Sequence, residues 1–156
     1  MFRLALIFYW LMTETVVSGL LPEHIRSYQD QLINLIQKPL ERTGADKYYS
    51  ANDVLDNCIK QEWQCWVACS QAEIIDCVFI THITPHPTGY KEFTIYLVGG
   101  RNLGKWLPQA WGLFKRYAKA HGCKGMAGGG RKGWLRALKR VEHNEFEHQL
   151  NFTVEI

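Results

Sequence analysis

The chain has 156 residues and a formal charge of +3, with 47% apolar and 21% charged residues. That length suffices for one domain with a real core, and the balance is that of a globular protein, which excludes a disordered or low-complexity chain. Five cysteines, an odd number, argue against a disulfide framework and for a reducing compartment.

Taken in chain order, Phe2 to Met12 is apolar apart from Arg3. It is shorter than the roughly 20 residues that a membrane-crossing helix needs. Residues 1–12 read as an apolar N-terminal extension outside the fold; a packed segment and a signal peptide cut near Val17-Ser18-Gly19 are the alternatives. Residues 13–156 form the expected single domain, with no transmembrane segment.

Thr13 to Ser18 is a short first strand. Pro22 opens a helix whose apolar residues Ile25, Tyr28, Leu32, Leu35 and Ile36 recur at helical spacing, up to a break at Thr43-Gly44. Ser50 is placed to cap a second helix with Val54, Leu55 and Cys58 inward. Trp63 to Cys69, Ile74 to Thr84 and Lys91 to Val98 then read as three strands of an antiparallel meander. In the first of them Cys65, Val67 and Cys69 share a face, so buried thiols are expected and no metal site.

After Val98 the pattern changes. Gly99-Gly100-Arg101-Asn102-Leu103-Gly104 is a glycine-rich turn, and Lys105 to His121 an amphipathic helix with Trp106, Leu107, Ala110, Leu113, Phe114, Tyr117 and Ala118 inward. Lys124 to Ala127 is a short strand and Arg131 to Arg140 a basic helix with Trp134, Leu135 and Leu138 inward. Glu145 to Glu155 is a last, alternating strand. The charge is split unevenly. Eleven of the 18 Lys and Arg lie between Arg101 and Arg140, where there is no Asp or Glu, so the remainder carries seven basic against 15 acidic residues. One face therefore suits an anionic partner.

A strand, a glycine turn and a helix start offer unpaired amide N–H groups and the positive end of a helix dipole, which together suit a phosphate. The candidate phosphate-binding segment is Val98, Gly99, Gly100, Arg101, Asn102, Leu103, Gly104 and Lys105.

The order of elements, from Thr13 to Glu155, resembles the GNAT acyltransferase fold. The resemblance implies an α/β (α+β) domain with a mixed, mostly antiparallel sheet of six to seven strands and about four helices. In that family the turn after the fourth strand reads Arg/Gln-x-x-Gly-x-Gly/Ala and binds the pyrophosphate of coenzyme A. Here it is Arg101-Asn102-Leu103-Gly104-Lys105-Trp106, with Trp106 in place of the small last residue. The blocks Gln64 to Ala68, Gly99 to Trp106, Ala118 to Cys123 and Gly130 to Leu138 resemble small GNAT-like proteins of tailed bacteriophages. That resemblance implies acetyl-CoA or another acyl-CoA, an amine acceptor and phage virion proteins as partners, and a place in the host cytoplasm or the virion.

Acyl transfer to an amine needs a base, because a free lysine holds its proton to a pKa near 10.4, and an acid for the departing thiolate. Glu92 is the first candidate base, Tyr96 a polar partner on the same strand face, and His82 a further candidate. The family's usual acid, a tyrosine late in the chain, is missing, since no tyrosine follows Arg131. Three functions stand in order: an acyl-CoA-dependent N-acyltransferase, a non-catalytic bacteriophage protein making virion or assembly contacts, and a nucleic-acid binder using the basic 101–140 face. The last ranks lowest because that stretch lacks interleaved exposed aromatics.

Overall fold

The computed structural model describes residues 16–71, 73–129, 132–141 and 151–156. Among the described residues six strands lie in one sheet in chain order: β1 (Val16–Gly19), β2 (Gln64–Cys69), β3 (Cys77–Pro85), β4 (Lys91–Gly100), β5 (Gly125–Gly129) and β6 (Asn151–Glu155). The helices are α1 (Pro22–Ser27), α2 (Gln29–Thr43), α3 (Ala51–Ile59), α4 (Leu103–Ala120) and α5 (Lys132–Val141), with a short 3-10 turn at Ala45–Lys47. This is the expected mixed α/β class, with five α-helices among the described residues where about four are expected. The N-terminal extension lies outside the described residues, as do the start of the first strand and residues 145–150 of the last. Among the described residues no helix is long and apolar enough to cross a membrane.

The described residues form two compact units: those up to Ile80 with Leu97–Asn102, and Thr81–Tyr96 with those from Leu103 onward. In the first, β1 pairs antiparallel with β2, from Val16↔Cys69 to Gly19↔Trp66. Its core holds Ile25, Leu32, Ile36, Leu40, Val54, Leu55 and Val67. Ser50 caps α3 as expected: its Oγ accepts the Asp53 N–H at 3.1 Å, and the Asp53 carboxylate accepts the Ser50 N–H at 2.8 Å. The same carboxylate also accepts the Ser50 hydroxyl at 2.8 Å, and the two bonds it accepts, from the N–H first and the hydroxyl second, favour the ionised carboxyl and lower its pKa.

The expected first helix is divided at Tyr28, whose ψ of 17° leaves the helical range. The Ser27 hydroxyl donates to the Glu23 carbonyl at 3.0 Å, a back-bond of the kind that bends helices. The second meander strand starts at Cys77 rather than Ile74, because Gln71 and Ile74 bridge each other across a tight turn.

In the second unit the hairpin link closes with the His86 N–H donating to the Tyr90 carbonyl at 2.8 Å. A link this short joins antiparallel neighbours only. β4 then pairs parallel with β5, from Glu92↔Gly125 to Ile95↔Gly128, and β5 antiparallel with β6. β4 continues past its last registered β5 partner as far as Gly100. Phe93 packs on Phe114 with ring centroids 5.6 Å apart and meets Tyr117 edge-on at 6.0 Å, which anchors α4. Along α4, Trp106, Leu107, Ala110, Trp111, Phe114 and Ala118 are buried. Leu113 and Tyr117, expected inside, are half-buried.

Candidate functional site

β4 alternates as its sequence dictates. Phe93, Ile95 and Leu97 are buried, whereas Glu92, Thr94, Tyr96 and Val98 form a half-buried face. Two of the three candidate catalytic side chains meet there. The His82 ring on β3 and the Tyr96 ring on β4 lie 5.7 Å apart between centroids, tilted by 55°. Thr84, two residues on from His82 and so on the same strand face, places its Oγ1 3.2 Å from His82 Nδ1. A threonine hydroxyl accepts as well as donates, so Nδ1 can carry the proton toward Thr84. Glu92 shares a face with Tyr96 but sits four residues away, about 13 Å along the strand.

Burial holds the His82 pKa below its usual 6.5, so the imidazole is neutral at pH 7. A base of this kind also ties stability to pH. The unfolded chain takes up its proton near pH 6.5, while the folded chain takes it up only at lower pH. Stability from this group is therefore present above that window and is lost as pH falls through it. Wild type is expected to lose melting temperature more steeply between pH 7 and pH 5 than His82→Gln; equal slopes in thermal unfolding would contradict the assignment.

The turn after β4 is built differently from what its glycines suggest. A Cβ on Gly99 would lie 2.0 Å from the Leu35 carbonyl oxygen of α2. Pro39, four residues after Leu35, has no N–H to occupy that carbonyl, and its ring also flanks Gly99. Gly100 has φ of 127°, and its Cβ would lie 2.1 Å from the Asp76 carbonyl oxygen. Both glycines thus let chain pack on chain. Arg101 extends the same contact: its backbone N–H donates to the Asp76 carbonyl at 3.0 Å and its Nε to Asp76 Oδ1 at 3.3 Å. Asn102 takes a positive φ of 62°, and α4 starts at Leu103, two residues earlier than expected. Gly104 and Lys105 therefore belong to its first turn. A Cβ on Gly104 would meet nothing within 4 Å. Trp106 is buried in the core.

Asp76 is the residue that sequence reasoning missed. It is 4% exposed, and its Oδ2 accepts the Ser70 N–H at 2.9 Å. Nothing in the pattern Ile74-Ile75-Asp76-Cys77 distinguishes it from a solvated turn carboxylate.

The five cysteines are free and buried. Burial pushes the Cys58 and Cys69 thiols up to about 12 and raises Cys65, Cys77 and Cys123 as well, with the Asp76 charge adding at Cys69 and Cys77. None is a thiolate nucleophile at neutral pH. Among the described residues no three His, Cys, Asp or Glu gather as metal ligands.

No protein-family model and no curated protein matches this chain. Solved structures do. An aminoglycoside acetyltransferase from an uncultured soil metagenomic sample, in complex with trehalose, superposes with a TM-score of 0.60 at 12% identity, over 85% of this chain and 91% of that one. A structure of the NatC complex bound to Gag peptide and CoA gives 0.60 at 13% identity, over 92% and 99%. A GNAT-family acetyltransferase from Listeria monocytogenes gives 0.55 at 12%, over 92% and 96%. At such identities the likeness is one of fold. The chain has the GNAT-like α/β fold, the fold of these acetyltransferases.

Proposed function

We propose that this chain is an acyl-CoA-dependent N-acyltransferase in which His82 is the general base and Tyr96 the general acid. The observation that carries the reading is the contact of a neutral, half-buried imidazole with a tyrosine ring on adjacent strands of this fold. The acyl-CoA supplies a thioester carbonyl and a thiolate leaving group. The His82 imidazole takes a proton from the acceptor's ammonium and frees the amine's lone pair for attack. The Tyr96 hydroxyl supplies the proton that the departing sulfur needs and is restored by the second proton that the nitrogen sheds as the amide forms. The acceptor is an amine.

The coenzyme's phosphates fall to Arg101 and Asn102 and to the first-turn N–H groups of Leu103, Gly104 and Lys105. An Arg101 side chain that is 70% exposed and the open space beside Gly104 fit such a group. From Val98, Gly99 and Gly100 only main-chain groups remain to contribute, since the two glycine Cα faces are occupied by protein.

Acetyl-CoA at about a hundred times its Kd is expected to stabilise the chain by about 2.7 kcal/mol, or roughly 5–10 °C in melting temperature. The Cβ of Gly104→Leu meets nothing within 4 Å, and the substitution improves helix propensity by up to about 1 kcal/mol. It is expected to raise the apo melting temperature slightly while removing the acetyl-CoA shift. Millimolar acetyl-CoA without any effect on wild type would sink the reading.

A second reading retains the fold without the chemistry, as a bacteriophage protein making virion or assembly contacts. It is favoured by the commitment of Gly99 and Gly100 to internal packing. Co-purification with particles, in the absence of any acyl-CoA effect, would support it.

A further inference from the structure

Neither α4 nor α5 contains an Asp or Glu, even in the first turn, where the helix dipole favours one. Cations recur instead. Lys105, Gln109, Gly112, Arg116 and Lys119 follow one another at spacings of four and three, which sets them along one side of α4. All are exposed except Gly112, which is half-buried. α5 packs on α4 within the second unit and exposes Arg136, Lys139 and Arg140. Among the described residues none of these cations is in an ion pair. Cations at helix C-termini complement the dipole, which accounts for Lys119, Lys139 and Arg140. It does not account for Arg116 or Arg136.

Gly112 stands in the middle of the row. A glycine inside a helix costs about 1 kcal/mol relative to alanine. Internal packing does not explain this one. Within 4 Å of an added Cβ lies Arg116 Nη1 alone, at 3.6 Å. The guanidinium therefore lies back over the glycine, and the missing side chain lets a partner's backbone come close.

We infer that the exposed side of the α4–α5 pair binds the phosphate backbone of a nucleic-acid duplex without reading its sequence. The make-up of the face selects this partner. A protein interface draws its energy from a desolvated apolar or aromatic centre, where Lys is depleted. A membrane-surface helix needs an apolar face free for the lipid. A single strand needs aromatic platforms. The exposed large apolar side chains among the described residues, Leu21, Tyr48 and Ile74, lie on neither helix. Duplex backbone contacts need only cations and polar groups, and their energy comes from released counterions. The inference goes beyond the acyl-transfer reading and does not depend on it.

The test is fluorescence anisotropy of a short labelled DNA duplex of mixed sequence, titrated with the full chain at several salt concentrations. Wild type is expected to bind with a Kd of about 10⁻⁴–10⁻⁶ M near physiological salt, and log K should fall with log salt at a slope of about −3 to −5. Arg116→Ala and Arg136→Ala should each reduce that slope by about 1 and weaken binding roughly five- to tenfold at about 0.1 M salt. Gly112→Gln keeps the charge and should melt no lower than wild type. It should still weaken the duplex by up to the loss seen in Arg116→Ala, because its longer side chain contests the place of that guanidinium. Lys60→Ala, at an exposed cation of the first unit, should change nothing. Absence of binding at low salt, a flat salt response, or a Lys60→Ala loss equal to that of Arg116→Ala would overturn the inference. So would polyglutamate, single-stranded DNA or phosphatidylserine vesicles bound as tightly as the duplex, each of which would assign the face to another partner. A loss confined to variants of one helix would overturn the shared surface.

Discussion

Gly99→Ala is expected to lower the melting temperature by roughly 6–12 °C, a loss of about 3 kcal/mol. The added methyl would have to share space with the Leu35 carbonyl, 2.0 Å from its ideal position, where real carbon atoms never sit. A flexible side chain could swing aside; this neighbour is the main chain of α2. Either the helix or the strand end has to shift, and both carry buried residues, Ile36 and Leu40 on one and Leu97 on the other. Overpacking typically costs about 1–3 kcal/mol, and a backbone obstacle places this case at the upper end. Gly100→Ala adds an unfavourable φ of 127° to a similar collision with the Asp76 carbonyl and should be as damaging. Gly104→Ala is the control, because no atom lies within 4 Å of its added methyl. Thermal unfolding of the three variants checks the ordering. A Gly99→Ala protein melting within a degree or two of wild type would mean that β4 does not approach α2 as closely as described.

His82→Gln is the second large effect, this time on rate. Loss of a general base typically costs about 10²–10⁴-fold. The loss is expected in kcat for acyl transfer from acetyl-CoA to an amine acceptor, with the KM for acetyl-CoA little changed, because the phosphate contacts assigned to Arg101 and α4 do not involve His82. The wild-type profile should keep its activity to below pH 6.5, since burial delays protonation of the imidazole, and the variant should lose that limb of the profile. Thr84→Val, which removes the Nδ1 partner, should give an intermediate loss. Glu92→Gln distinguishes the two candidate bases. Activity that survives His82→Gln but vanishes in Glu92→Gln would transfer the role to Glu92 and end the present assignment.

The two expectations draw on different kinds of information. The alternation of β4 was legible because burial on one face repeats every second residue. Phe93, Ile95 and Leu97 against Glu92, Thr94 and Tyr96 is a local pattern that needs no partner to be recognised. The amphipathic α4 and the Ser50 cap were legible for the same reason. The order of strands and helices was enough to suggest the fold. That Arg101 and Gly104 belong to one segment between a strand and a helix could also be read along the chain.

Which residues meet was another matter. His82 and Tyr96 are 14 positions apart, and their ring contact depends on the hairpin register between β3 and β4, which the sequence leaves unspecified. Gly99 and Leu35, or Arg101 and Asp76, are farther apart still. Their spacing carries no period, because a close approach between distant backbones is a property of packed elements and not of any window of residues. Local propensity and patterning, set by neighbours in the chain, therefore determined the elements and their buried faces. Only the tertiary structure decided that two of the turn's glycines serve packing, that Asp76 holds Arg101, and that His82 rather than Glu92 stands beside Tyr96.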